Sequence, residues 1–219
     1  MKRVAIAVLC TISFLVFSAA SGVAQIPVTI GLRAGVNFAD VSVSGLEPGV
    51  SLSTSTRTGL IVGGTVELGL SGPFFVEGGI VYAQKGAEFD LSQFGVSGTG
   101  KLKGDYLEIP VTLKAKFGVA DVKPYVYAGP NIGFNLSAES EITVGGVTVT
   151  EDIKDNTKSI DFALDIGGGL EFKVAPRTSL FGDVRYSLGL TNNNDDPNDP
   201  TEIKTRDIKV GLGVSFHLK

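Results

Sequence analysis

From Val28 to its C-terminus the chain alternates apolar or small residues with polar ones, and the alternation falls into eight segments: 27–40, 57–70, 74–89, 105–117, 123–137, 158–174, 178–190 and 205–218. In the last of them Ile208, Val210, Leu212, Val214, Phe216 and Leu218 share one side, while Asp207, Lys209, Gly211, Gly213, Ser215 and His217 share the other. A period of two predicts strands whose faces meet different environments. On this reading no Asp, Glu, Lys, Arg or His falls on the apolar face of any of the eight segments. Strands of ~12–16 residues exceed the usual ~5–6 of soluble sheets and suit a tilted membrane crossing, which takes ~9–11 residues plus overhang. The pattern predicts an all-β fold: one eight-stranded antiparallel up-and-down transmembrane β-barrel with its apolar side in lipid.

The connections alternate in length. Ser71-Gly72-Pro73, 118–122 and Ala175-Pro176-Arg177 read as tight turns, whereas 41–56, 90–104, 138–157 and 191–204 are long and polar. That places the short turns and both termini at one rim and four long loops at the other, as in outer-membrane barrels. Phe38, Phe134 and Phe162 cluster towards the long loops, and Phe74, Phe117, Phe172 and Phe216 towards the short turns. Two interfacial aromatic bands are expected. A soluble lipocalin-like barrel would alternate too, with the faces inverted. Strand length and loop asymmetry favour the membrane arrangement.

The other face predicts a filled lumen. It carries eight bases (Arg33, Lys85, Lys114, Lys116, Lys123, Lys173, Arg185, Lys209) and eight acids (Glu67, Glu77, Glu108, Asp161, Asp165, Glu171, Asp183, Asp207). Enclosed charges must be paired and hydrogen-bonded, and eight strands leave a lumen that side chains fill. The charges suggest two hairpin registers. Glu77 facing Lys116 sets Lys85 opposite Glu108; Asp183 facing Lys209 sets Arg185 opposite Asp207. With Arg33 and Glu67 these form the candidate lumen charge network.

The N-terminus changes the compartment. Lys2 and Arg3, an apolar run over 4–17 and small residues thereafter read as a signal peptide over 1–24, with Ala20 or Ala24 at the cleavage site, ahead of a barrel domain over 25–219. The run is short for a spanning anchor. The single cysteine, Cys10, lies inside it, so no disulfide framework or thiol metal site is expected in the exported chain. Removing the segment takes Lys2 and Arg3 from 19 basic residues and nothing from 23 acidic ones, moving the formal charge from −4 to −6. That balance disfavours nucleic acid as a partner.

Three segments, Gly31-Leu-Arg-Ala-Gly-Val-Asn37-Phe, Tyr106-Leu-Glu-Ile-Pro110-Val-Thr-Leu-Lys114 and Lys123-Pro-Tyr-Val-Tyr-Ala-Gly-Pro130, resemble the PorT-like outer-membrane β-barrel family of Bacteroidota and relatives. The Tyr-Leu-Glu-Ile-Pro stretch is the most specific. The resemblance implies an eight-stranded barrel in the bacterial outer membrane, in a family mostly of unassigned function. One class within it is linked to a gliding and secretion apparatus, which would make envelope proteins partners. Such barrels often end in an aromatic residue read by the insertion machinery; here the end is Phe216-His-Leu-Lys219, with Phe216 the available aromatic.

Catalytic chemistry is scarce. His217 is the only histidine, and a Ser-His-Asp site could use it with Asp183 or Asp207, though no spacing nominates a serine. Gly167-Gly168-Gly169 lacks the Lys-Ser/Thr of a phosphate loop. Asp161 and Asp165 share a face and could mimic paired carboxylates; a salt-bridged lumen is the simpler account. The loop 192–200 has oxygen ligands for calcium without the EF-hand spacing. The expectation is a non-enzymatic integral outer-membrane protein with no cofactor, in contact with outer-membrane lipid and the barrel insertion machinery. It would be a scaffold displaying its long loops for surface interaction, with a secretion or gliding component and a narrow pore as the alternatives.

Overall fold

The computed structural model describes residues 26–45, 54–90, 98–118, 121–195 and 201–218. The signal segment, both candidate cleavage positions and Cys10 lie outside the described residues, as do 46–53, 91–97 and 196–200 of the long loops. Nine strands are described: β1 Val28–Ser44, β2 Thr54–Gly69, β3 Phe74–Asp90, β4 Gly98–Lys116, β5 Val122–Val144, β6 Val147–Asp152, β7 Ile160–Ala175, β8 Thr178–Gly189 and β9 Glu202–Leu218. Every pairing is antiparallel, and β1 zips to β9 from Val28↔Leu218 to Ser44↔Glu202. With β4 paired to β5 and β5 to β7, eight strands form an unbroken ring, and β6 pairs only with the upper part of β5. Ring closure gives each of the eight ring strands a partner on both sides, which hydrocarbon requires because it offers no hydrogen bonds.

The faces are assigned by burial. Leu113, Ile166 and Leu212 are 53%, 53% and 70% exposed on the outside. The residues shielded inside are instead dominated by charged and hydroxyl or amide side chains. That arrangement inverts a soluble core and identifies hydrocarbon as the outer solvent. The outward phenylalanines form the two expected bands, and Tyr186, opposite Ile208, which itself pairs with Phe38, joins the band towards the long loops. The outward face is not charge-free along the whole of the segments, contrary to expectation: beyond that band it carries Asp40, Glu88, Lys158, Glu202, Lys204 and Arg206 among others. Asp40 stands directly opposite Arg206 across the β1–β9 seam, just past Phe38. This charged rim marks the upper limit of the apolar belt, inside the outer ends of the segments drawn from sequence.

Two expectations require correction. The long connections are shorter than the sequence suggests, because several strands run on above the belt. β1 reaches Ser44, β4 begins at Gly98, and β5 continues to Val144 before Gly145 and Gly146, at φ 59° and 81°, reverse the chain into β6. Two consecutive left-handed residues make the tight turn matching strand twist, a conformation glycine adopts without cost. Cross-strand pairs such as Val43↔Ile203 and Ile142↔Val149 carry the ladder into this region.

Both charge-derived registers are also displaced. In β3–β4 Glu77 faces Thr112, Val81 faces Glu108 and Lys85 faces Gly104, four residues from the expected alignment. In β8–β9 Arg185 faces Lys209, Asp183 faces Gly211 and Ser187 faces Asp207, two residues away. Even-numbered displacements keep every side chain on its face. Ladder alignment follows the tilt and shear of the closed ring. In a lumen one side chain wide, Lys, Arg and Glu reach along and across the axis, so partners need not be directly opposite. The sequence estimate of eight inward bases falls to six, because Lys123 is half-buried at the short-turn rim and Lys173 is exposed there.

If the outer face meets hydrocarbon, Leu113→Arg destabilises the barrel in phosphatidylcholine vesicles by ~2–4 kcal/mol. The same substitution at Val149, on the hairpin above the belt, changes stability by less than ~0.5 kcal/mol. Equilibrium urea unfolding of both variants measures the difference.

Candidate functional site

The lumen is organised in three tiers, each built on two cations. Nearest the short turns, Lys114 Nζ lies 3.0 Å from Glu67 Oε2 and also donates to Glu77 Oε2, while Lys116 Nζ spans Glu67 (2.6 Å) and Glu171 (2.7 Å). In the middle, Arg33 Nη2 donates to Asp183 Oδ1 at 2.7 Å. Arg185 Nη1 donates to Asp165 Oδ2 at 3.0 Å, and Ser187 Oγ donates to Asp165 Oδ1 at 2.6 Å. Towards the long loops, Lys85 Nζ sits within 2.9 Å of Glu108, 3.4 Å of Asp161 and 3.3 Å of Asp207. Lys209 Nζ donates to both Glu108 oxygens, at 2.8 and 2.6 Å. The ten residues nominated from sequence are distributed over these three tiers; Glu77 pairs with Lys114 rather than Lys116, and Asp207 contacts Lys85 and, at 3.9 Å, Lys209 rather than Arg185.

Three inward tyrosines, Tyr106, Tyr125 and Tyr127, complete the network. Tyr127 Oη donates to Asp183 Oδ2 at 2.8 Å and accepts from Arg185 Nε at 3.2 Å. Cations also stack on rings, with Lys85 5.0 Å from the Tyr106 centroid, Lys114 4.8 Å from Tyr125 and Arg185 5.0 Å from Tyr127. Such contacts strengthen when water is excluded. The available signal was parity: Tyr125, Tyr127 and Asn131 share the inward face of β5. Gly167 and Gly169 on β7 make the room. A Cβ at Gly167 would stand 2.6 Å from the Tyr127 ring, and one at Gly169 2.7 Å from Tyr125 Oη. That is the use of the glycine run in a strand, and it is not a phosphate loop.

The enclosed network holds six bases against eight acids, and the lower tier leaves a void of only about 20 Å³. Such packing has the character of a plug. The other candidates resolve into structure. His217 lies at the short-turn rim, its Nδ1 3.1 Å from Thr29 Oγ1 and its Nε2 2.9 Å from Ser179 Oγ. Ser179 is thus the serine that spacing did not nominate. At 1% exposure it cannot receive a substrate, and Asp183 and Asp207 are engaged elsewhere. Asp161 and Asp165 belong to different tiers, each with its own cation. Asn192 Oδ1 accepts from the backbone N–H groups of Asn194 and Ile203, which fixes the loop locally. Among the described residues no group of three or more His, Cys, Asp or Glu is placed to hold a metal.

Comparison with known proteins places this geometry. A family profile described as outer membrane protein beta-barrel domain matches residues 20–195. The outer membrane protein OprG of Pseudomonas aeruginosa superposes with a TM-score of 0.54 at 14% identity, covering 89% of this chain and 96% of its own. Neisserial surface protein A gives a TM-score of 0.47 at 15% identity, covering 85% of this chain and 96% of its own. No curated protein sequence matches the chain.

Removing one member of a buried ion network leaves its partners uncompensated, at ~3–5 kcal/mol. Lys85→Met, which leaves Asp161 without a cation and Glu108 and Asp207 with Lys209 alone, is expected to cost that much in urea unfolding. Adding Asp207→Leu to Lys85→Met recovers part of the loss, because one stranded charge disappears; additive losses would contradict the pairing.

Proposed function

The chain belongs to the outer membrane protein beta-barrel domain family and resides in the bacterial outer membrane, and from that premise we propose that it is a non-enzymatic scaffold presenting a structured outer surface. The observation that carries this reading is the division of the barrel into a sealed body and an elaborated outer end. The body is filled by paired ions, which supports neither permeation nor turnover. The outer end holds the β5–β6 hairpin, whose residues 147–152 are all exposed, and the strand extensions beside it. Loops on a rigid frame are where binding surfaces usually lie. The contacts expected of such a protein are outer-membrane lipid around the belt, the insertion machinery during assembly, and extracellular or envelope partners at the loops. In this reading residues 1–24 act as the export signal and are absent from the mature barrel.

A second reading is favoured by one stretch of sequence. Tyr106-Leu-Glu-Ile-Pro110 supports kinship with PorT-like barrels and hence a place in a secretion or gliding complex. Cross-linking in intact cells separates the two readings. A barrel recovered with large envelope proteins supports the complex, and a barrel recovered alone supports the autonomous scaffold.

The scaffold reading predicts that replacing 141–150 with a two-glycine turn leaves a barrel that still migrates differently before and after boiling. It also predicts no conductance steps from that variant in planar bilayers, since the seal lies in the ion tiers below. Appearance of a channel in the shortened variant would instead make the outer hairpin a gate.

A further inference from the structure

The outer wall of the barrel carries a polar notch of about 160 Å³, lined by Arg57 from β2, Gln84 from β3, Lys103 and Asp105 from β4, and Ser137 and Glu139 from β5. The ladder sets its height. Tyr82 faces Leu107, which faces Phe134, in the aromatic band towards the long loops. In the next outward row Gln84 faces Asp105, which faces Ser137. The notch therefore stands directly above the band, on the side that lipid covers below it.

Three breaks in the regular pleat build it. Alternation along β4 keeps Asp105 and Lys103 on the side of Leu107 and Ile109. On β5, Tyr106 faces Asn135 but Asp105 faces Ser137, so one extra residue enters at Leu136. The bulge turns Ser137 and Glu139 outward, where unbroken alternation would turn them in. The β2–β3 ladder is interrupted between Thr56 and Ile61, and Arg57 lies across the gap with Nη1 donating to Lys85 O. Beside it Gly86 takes φ 143°, where a Cβ would collide with Leu102 O. Bulges at sheet edges and rims re-aim side chains and gather beside functional sites.

The lining leaves both donors and acceptors open. Lys103 is bound to Glu141, and Ser137 Oγ donates to Asp105 Oδ2 at 3.1 Å. Gln84 Oε1 accepts from Leu60 N at 3.2 Å, and its amide nitrogen donates to Tyr82 Oη at 3.3 Å. Among the described residues Arg57 makes no ion pair, and the Glu139 carboxylate makes neither an ion pair nor a hydrogen bond. A guest must then accept from a guanidinium and donate to carboxylates. A phosphate brings acceptors alone and is repelled by Asp105 and Glu139. An ammonium brings donors alone and is repelled by Arg57 and Lys103. A zwitterion needs separated poles, and here Lys103 and Asp105 alternate on one strand. Hydroxyls both donate and accept, so a ring of them meets both demands.

The aromatic band marks the lipid–water interface, so the layer just above it holds lipid headgroups. We propose that the notch is a binding site for the sugar headgroup of an outer-leaflet glycolipid. Its hydroxyls donate to Asp105 and Glu139 and accept from Arg57, and its acyl chains lie along Tyr82, Leu107 and Phe134. This goes beyond the scaffold reading, which asks only for an unspecific lipid belt, and its failure would leave that reading untouched.

The test uses the full barrel in phosphatidylcholine nanodiscs doped with increasing fractions of monogalactosyl diacylglycerol, phosphatidic acid or phosphatidylethanolamine. Side-chain amide resonances of Gln84 and main-chain amide resonances of Ser137 and Glu139 are followed. The expected result is saturable shifts with the galactolipid, and binding at least ~10-fold weaker with either phospholipid. Glu139→Ala, which removes a hydroxyl acceptor at an exposed position, is expected to weaken galactolipid binding ~10-fold. Ser137→Phe, which fills the notch, is expected to abolish saturation. Shifts that rise linearly, that either phospholipid reproduces at equal fraction, or that Glu139→Ala leaves unchanged would overturn the proposal. If Ser137→Phe fails to give a heat-modifiable barrel, Glu139→Ala decides: unchanged affinity there refutes the site.

Discussion

Closure of the sheet is the constraint from which the remaining structure follows. In hydrocarbon a strand with an unpaired edge has nowhere to place its N–H and C=O groups, so the first strand must meet the last. Here the β1–β9 seam meets that demand over the whole length of both strands. Once eight strands close, the lumen has room for side chains and little else. The inward positions then cannot rely on bulk water, and whatever polarity they carry must be neutralised within the protein. Three tiers of cations, carboxylates and tyrosines are the form that neutralisation takes.

The tiers also account for the division between body and mouth. Below the charged rim of Asp40 and Arg206, each strand has lipid on one side and ions on the other. Above it, the same strands continue in water, and the ladder needs no closed ring to be satisfied. There β6 can pair with β5 alone, and Lys103 can bond Glu141 in a half-buried pair whose carboxyl is held below its usual pKa by that hydrogen bond. The outer end is therefore free to vary in a way the belt is not. Apolar residues that face inward there, such as Val41, Ala138 and Ile203, line a chamber instead of meeting lipid.

Much of this was legible in the chain before any coordinates. Face assignment follows from a period of two, and residues as far apart as Ile30, Leu113, Ile166 and Leu212 fall on the outside as alternation demands. Parity also picks out the inward charges within the belt, and it overreaches at Lys123 and Lys173, which stand at the short-turn rim where the lumen meets water. The pairing among the inward charges was not legible. Matching charges across a hairpin assumes that ion pairs set register, whereas Arg185 opposite Lys209 shows that like charges can face each other when each finds its carboxylate elsewhere. The outer chamber was illegible because it depends on a strap that brings 153–157 to 193–195, a contact between loops that periodicity does not encode.

The central claim is that adjacent residues of one strand face hydrocarbon and a sealed ionic lumen in turn. The direct test is site-directed spin labelling of single-cysteine barrels lacking residues 1–24, at Leu113→Cys and at Thr112→Cys, in phosphatidylcholine vesicles. The label at 113 is predicted to be relaxed strongly by oxygen and hardly by a water-soluble nickel chelate, while the label at 112 is shielded from both. A label at 113 relaxed by the chelate, or one at 112 relaxed by oxygen as strongly as its neighbour, would contradict the account.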